Sequence, residues 1–528
     1  MSEPLSISAV SKPSSIAPPA AMVHGDPCTL VIFGAAGDLA QRKLFPAIYH
    51  LAKKGLLADD FRIVGVGIES LDDAAFRARM RAALDRSDDV RDVDGATWAD
   101  VEARLFWLTG NLTEPTVYAA LRARLESLET NARESTRNRL FYLAVPPQIF
   151  PSIVLHLGES GAATRVDDPG ARPWRRLIVE KPFGHDLASA EALSRGVLAH
   201  FAEHQIYRID HYVGKETVQN VLVLRSANAI FETLWSRANV SHVEVTAAET
   251  VGLEGRAGYY EKAGVVRDMF QNHLLQCVAL AAMEPPREPT ANAVRDEKVK
   301  VLRAVRPLVD GGRASAIHAQ YAHGTIGEKE VAGYREEPGV DPRSVTPTYA
   351  ALRLYVDNHR WQGVPFYVRS GKRMKKRVSE VALHFRAPQR LMYEPVPTER
   401  LAPNVLVLRI QPDDGVALGF TVKVPGAALA LTPGIEVQEV RMNFDYADAF
   451  GAESHPAYET LLLDCMIGDA TLFTRTDEVE AAWRIVDPLL EHWAARADDA
   501  IPTYAAGTWG PPEADDFIAH DGHAWRTP

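Results

Sequence analysis

Thr29-Leu30-Val31-Ile32-Phe33-Gly34-Ala35-Ala36-Gly37-Asp38 decides the fold. Five apolar or β-favouring residues run into a turn with two glycines, and Leu39, Leu44, Ile48 and Leu51 follow at helical spacing until Lys53-Lys54-Gly55 stops them. That order reads as strand, glycine turn, helix. Working outward, Arg62–Gly67 is a second buried strand. The runs 140–145, ending in Pro146-Pro147, and 177–180, ending in Lys181-Pro182, are further ones. Short apolar strands alternating with helices imply βαβ units and a parallel sheet to about residue 200.

Beyond that point the pattern changes. The runs 240–246, 352–356, 366–369, 378–385, 405–410 and 420–424 alternate apolar with polar residues, the period of half-exposed antiparallel strands. The expected fold is an α/β Rossmann-like N-terminal domain followed by a large α+β domain with an extended, mostly antiparallel sheet. Residues 1–26, rich in Ser, Pro and Ala, read as a disordered tail. The expected limits are 27–205 for the dinucleotide-binding domain, 206–512 for the substrate and dimerisation domain, and 513–528 for a C-terminal tail. A broad sheet face to cover implies a homodimer or a dimer of dimers.

The 528 residues are 46% hydrophobic and 24% charged, ample for large cores. Lys and Arg number 58 against 69 Asp and Glu, a net charge of -11 that argues against nucleic acid or an anionic membrane as partner unless cations gather locally. Three scattered cysteines, Cys28, Cys277 and Cys465, form no disulfide framework or thiolate metal site, so no metal is expected and a reducing cytoplasm is the simplest compartment. No segment has the length and apolarity of a membrane span.

Six segments carry chemistry. The turn at Gly34 and Gly37 lets the backbone approach a diphosphate, although the complete G-x-G-x-x-G is absent. At the end of the second strand an acid prefers a free ribose 2′-hydroxyl and an Arg prefers a 2′-phosphate; Glu69 stands there, as a ribose ligand favouring NAD or as a solvated loop acid. Lys181, before a proline at a strand end, points into the crevice or is a surface lysine on a turn. His211 and Lys215, four apart on an expected helix with Tyr212 beside them, give three donors to one anion; the alternative is a helix start capped by Asp210. Asp268, Asn272 and Gln276 form a polar stripe at helical spacing, with His273 next to it and Asp210 as a candidate orienting carboxylate. Lys372 and Arg377 lie in a basic cluster, residues 369–377, that closes over a phosphate or is a solvated loop.

Together these motifs resemble glucose-6-phosphate dehydrogenases. The resemblance is carried by Gly34-Ala35-Ala36-Gly37-Asp38-Leu39-Ala40, Glu180-Lys181-Pro182-Phe183-Gly184, Asp210-His211-Tyr212-Val213-Gly214-Lys215-Glu216, Arg267-Asp268 through Asn272-His273, Gly371-Lys372, the run 458–469 and Gly507-Thr508-Trp509-Gly510. It covers about residues 28–512. It implies oxidation of glucose 6-phosphate at C1 to the phosphogluconolactone with hydride passing to NADP or NAD, the first step of the oxidative pentose phosphate route. It implies His273 as general base and Asp210 as its orienting carboxylate. His211, Tyr212 and Lys215 become the phosphate set, Lys181 the lysine that meets sugar and cofactor, Glu249 and Asp268 the hydroxyl ligands, and Lys372 and Arg377 further substrate cations. Gly34, Ala35, Ala36, Gly37, Asp38 and Leu39 become the dinucleotide turn.

One departure concerns the cofactor. Many relatives place an Arg at the end of the second strand, where this chain has Ile68-Glu69; Arg42 or Lys43 could replace it. Measurable turnover with NAD is therefore predicted. The rivals are a sugar or inositol oxidoreductase acting on an unphosphorylated polyol, which has no need of His211, Tyr212 and Lys215, and a noncatalytic dinucleotide sensor, which has no need of His273 beside Asp210.

Overall fold

The computed structural model describes residues 5–7, 23–387, 403–424, 437–450, 456–496 and 500–528. Six parallel strands form the N-terminal sheet in the spatial order Leu105–Thr109, Arg62–Gly67, Cys28–Phe33, Asn138–Leu143, Arg175–Val179, Ile206–Arg208. The order reverses at Cys28–Phe33, so the crevice beyond its carboxyl end, where the glycine turn begins, is the place where such sheets bind ligands. Every residue of Cys28–Phe33 is buried, as expected of a strand covered on both faces by helices. The sixth strand, Ile206–Arg208, lies just past the expected limit at residue 205; it pairs parallel with Arg175–Val179, and its three residues are buried.

The second sheet has ten strands and is mixed, mostly antiparallel. Its centre is the parallel pair Val240–Ala248 and Pro365–Gly371, flanked antiparallel by Val378–Phe385 and Tyr349–Tyr355. The central strands depart from the expected half-exposed character. All residues of Pro365–Gly371 are buried, whereas the outer strand Gly415–Lys423 alternates. The difference lies in what covers the sheet: helices pack on one face, and on the other the chain's last residues return over it.

Residues 513–528, expected to be a tail, contain the helix Pro512–Ala519 with Ala514 and Ile518 buried. Trp525 stacks on the Arg369 guanidinium at 4.3 Å and donates its indole N–H to Ala514 O at 2.8 Å. The Arg526 backbone N–H reaches both oxygens of buried Glu244 at 3.1 Å, and its guanidinium pairs with Glu380. Most of the expected 1–26 tail lies outside the described residues; within it Leu5–Ile7 runs parallel to the strand Val437–Asp445, and Gly25 donates to Leu56 O at 2.9 Å. The three cysteines are buried and free, and among the described residues no helix is long and apolar enough to cross a membrane.

Candidate active site

The site lies where the carboxyl ends of the first sheet meet the second domain. Gly34 has φ +82°, and a Cβ there would stand 2.5 Å from Ala144 O, so both the backbone conformation and the close approach require glycine. Gly37 N–H closes the turn on Gly34 O at 2.9 Å. Ala35 and Ala36 are buried beneath it, while Asp38 and Leu39 open toward solvent. The following turn, Ala40–Leu44, is π-helical before the α-helix Phe45–Lys53 begins.

Asp210 follows the sixth strand. His211 and Lys215 do not share a helix face as expected: residues 211–214 are turns, and the helix starts at Glu216 with Lys215 as its N-cap. The Asp210 side chain does not cap that helix. Its Oδ1 accepts the Tyr212 N–H at 2.9 Å and lies 2.5 Å from His273 Nδ1. The turn brings three rings together instead, with His273 stacked on Tyr212 at 4.4 Å and His211 edge-on to His273 at 4.4 Å.

The segment Val266–Leu274 is a nine-residue π-helix, and this splits the expected stripe. Pairing i with i+5 aligns residues five apart, so Asp268 and His273 face the same partner. Lys181 Nζ lies 3.0 Å from His273 Nε2 and 3.3 Å from Asp268 Oδ1. Asn272 accepts the His273 backbone N–H at 2.6 Å, and Gln276 points away toward Lys298 and Glu478.

Glu249 and Lys372 follow directly on the parallel pair, in register at Ala248 and Gly371, and so emerge side by side with Nζ and Oε2 2.6 Å apart. Lys215 lies 4.6 Å over the Tyr212 ring and donates to Gln411. Arg377 is exposed, and its charge acts on Lys215.

The electrostatics fit proton transfer. Burial works to raise the Asp210 carboxyl, but the charge and hydrogen bond of His273 prevail and hold it below the usual carboxylate range. Burial lowers His273, outweighing the opposing pull of Asp210, with Lys181 adding to the lowering. The imidazole is therefore neutral at pH 7: Nδ1–H donates to Asp210, and the Nε2 lone pair faces the crevice. Burial, with the neighbouring charge of Lys181 adding to it, keeps His211 neutral as well. Burial also pulls Lys215 down to about 8. Asp268 is held low against its burial by Lys181 and Lys372.

Two family models divide the chain between them. "Glucose-6-phosphate dehydrogenase, NAD binding domain" matches residues 31–220, and "Glucose-6-phosphate dehydrogenase, C-terminal domain" matches residues 222–526. The chain belongs to the glucose-6-phosphate dehydrogenase family. A glucose-6-phosphate 1-dehydrogenase of Aggregatibacter actinomycetemcomitans is 47% identical over 502 residues, covering 95% of this chain and 97% of the relative. Glucose-6-phosphate 1-dehydrogenase 2 of Mycobacterium bovis is 43% identical over 502 residues, 95% of each chain. A solved glucose-6-phosphate dehydrogenase in complex with its substrate glucose-6-phosphate superposes with a TM-score of 0.84 at 32% identity, over 96% of this chain and 100% of that one. The glucose-6-phosphate 1-dehydrogenase of Mycobacterium avium gives 0.80 at 34%, over 96% and 99%.

In this glucose-6-phosphate dehydrogenase family member, several polar residues had no motif to announce them. Ser379 and Gln411, on neighbouring strands, meet at 2.8 Å beside the Tyr212 hydroxyl. Tyr142 and Tyr458 donate to buried Glu180 at 2.5 and 3.2 Å, fixing the residue before Lys181. The Tyr259 hydroxyl reaches Asp268 at 3.3 Å. On the cofactor side a cavity of about 570 Å³ is lined by Ala36, Asp38, Arg42, Lys43, Arg79 and Arg86. Arg79 donates to Ala36 O at 3.0 Å, and Lys43 pairs with Asp89 at 2.8 Å. The Glu69 carboxylate folds back over Gly67, where a Cβ would lie 2.7 Å from its Oε2.

Proposed function

We propose that this chain oxidises glucose 6-phosphate at C1 to 6-phosphoglucono-1,5-lactone with NAD(P)+ as hydride acceptor, the opening step of the oxidative pentose phosphate pathway. The observation that carries this reading is the buried Asp210–His273 pair, whose Nε2 accepts from Lys181 at 3.0 Å at the mouth of the dinucleotide crevice. His273 Nε2 takes the C1 hydroxyl proton, and Asp210 holds the imidazole in the acceptor tautomer and stabilises the imidazolium that forms. Lys181 places an ammonium beside that nitrogen and positions the hydroxyl. Asp268 and Glu249 accept sugar hydroxyls, and Lys372 donates to them. Lys215, His211 and Tyr212, with Arg377 at the rim, receive the phosphate. A polyol oxidoreductase would leave Lys215 and Arg377 without a use, and a sensor would leave the dyad without one.

The turn from Gly34 through Leu39 fits a dinucleotide diphosphate, since it links the buried strand Cys28–Phe33 to the helical segment that follows, and glycine at φ +82° lets it turn tightly against Ala144 O. Bound there, the cofactor's nicotinamide supplies the hydride acceptor. Glu69 stands where an adenosine ribose is read and supports use of NAD, while Arg42, Arg79 and Arg86 offer charge to a 2′-phosphate. The enzyme accordingly turns over NAD as well as NADP. No metal takes part in this reading. Nucleic acid and membrane are not partners; the protein acts in the cytoplasm as a homodimer or dimer of dimers, which exposed Met442 and Phe444 on the strand Val437–Asp445 support. The test mixes purified protein with glucose 6-phosphate and either cofactor and follows reduced nicotinamide by absorbance. Turnover with both is expected; silence with both overturns the function, and activity with NADP alone overturns the NAD reading.

A further inference from the structure

Behind the catalytic pair the structure leaves one polar atom unmatched. Asp210 Oδ1 serves both Tyr212 and His273, but Oδ2 is fully buried and has no hydrogen-bond partner among the described residues. An ionised carboxylate oxygen in that state costs free energy, so its surroundings call for a donor. Oδ2 belongs to a residue lining a small cavity of about 10 Å³, with Gln271, Asn272, Gln276, Thr474 and Glu478 among the other walls. That is room for about one water, and the polar side chains of its wall offer such a water partners beside apolar Phe183, Val479 and Ala482. On its far side lies a buried ion pair: Lys298 Nζ is 2.8 Å from Glu478 Oε2, with both side chains almost wholly inaccessible. Gln276 bridges the pair, accepting from Lys298 at 3.0 Å and donating to Glu478 at 3.3 Å.

We infer that this cavity holds one ordered water that donates to Asp210 Oδ2 and joins it to the Gln276–Glu478–Lys298 cluster, making Glu478 and Lys298 positioning residues for the Asp210–His273 pair. A water with one proton on Asp210 and one on Glu478 can accept from the Asn272 or Gln276 amide, which satisfies every member. Lys298 and Glu478 compensate each other's charge while they remain paired, and buried Arg295 acts on Glu478 from the same side. In front, His273 faces Lys181, Asp268 and His211, and around Asp210 stand Lys215, Glu180 and Tyr458. These are unaffected by changes behind the dyad.

The inference rests on Asp210 and His273 being the base and its partner, and it predicts shifts of opposite sign. Glu478→Gln leaves the Lys298 ammonium uncompensated, disfavours the imidazolium, and moves the acid limb of kcat/KM down by about half a pH unit. Lys298→Met leaves the Glu478 carboxylate uncompensated and moves the limb up by about as much. A purely structural role lowers stability without moving the limb in opposite directions. Unchanged limbs, or shifts in one direction, overturn the inference while leaving the wild-type acid limb as evidence for His273. An atomic-resolution crystal structure of the wild-type protein supplies the arm that needs neither variant folding nor turnover: density for a water bonded to Asp210 Oδ2 supports the inference, and a dry cavity overturns it.

Discussion

Single residues decide the chemistry, and their charge states set its pH range. Because His273 must be neutral to accept a proton and burial lowers its affinity for one, the acid limb of kcat/KM belongs below the ordinary imidazole value of about 6.5. A pH profile with saturating cofactor checks this, and a limb above that value contradicts it. Lys215 is proposed to act at the other end of the sugar. Replacing it with Met removes a charge-assisted hydrogen bond and raises KM for glucose 6-phosphate about 10- to 100-fold with kcat little changed. A fall in kcat with unchanged KM would remove Lys215 from the phosphate set. The meeting of Asp210, His273 and Lys181, and of Lys215 with Tyr212, was legible in the sequence because each sits in a motif whose residue types fit one chemistry. Gln411 and Ser379 were not, since a lone polar residue on a strand carries no sign of which neighbour the sheet will bring to it.

Elements convert those residues into a site, and here periodicity both succeeded and failed. The parallel strands and the glycine turn were legible because five apolar residues before a glycine have few alternatives. The π-helix Val266–Leu274 was not, because a reading at 3.6 residues per turn joins Asp268, Asn272 and Gln276, whereas the observed winding joins Asp268 with His273 and sends Gln276 elsewhere. The closing segment was missed for a related reason. Trp525 and Arg526 bind through single long-range contacts to Arg369, Glu244 and Glu380, and isolated contacts leave no pattern. Their contribution is measurable: Arg526→Met strands the buried Glu380 carboxylate and costs about 3 kcal/mol of stability, read as a lower urea midpoint. An unchanged midpoint would make the segment an ornament on the sheet. Gly34→Ala tests the turn, because a side chain at φ +82° against Ala144 O displaces the backbone. Cofactor binding measured by fluorescence titration should be lost, and retention would exclude this turn as the diphosphate site.

At the scale of the whole molecule, an acidic chain gathers its cations in one crevice. Lys181, Lys215, Lys372 and Arg377 come from distant segments, so a net charge of -11 is compatible with a phosphorylated sugar held within a Debye length of roughly 10 Å. The same fold buries neutral imidazoles in its second sheet. Burial pushes His242 and His318 down to about 4, against an unfolded value of about 6.5. Their folded-state values are depressed, so each opposes folding only once the unfolded form takes up protons; stability is complete above about pH 6.5 and declines as pH falls toward 4, by about 3 kcal/mol for each histidine. Thermal unfolding followed across that range should show the loss, and a flat profile would contradict it. In the proposed reaction His273, held by Asp210, is the base that acts on glucose 6-phosphate. Its most direct test is the kcat of His273→Asn at saturating glucose 6-phosphate and cofactor, alongside the substrate's dissociation constant. A fall of about 100- to 10,000-fold in kcat with substrate binding retained is expected, and near-wild-type kcat would contradict the account.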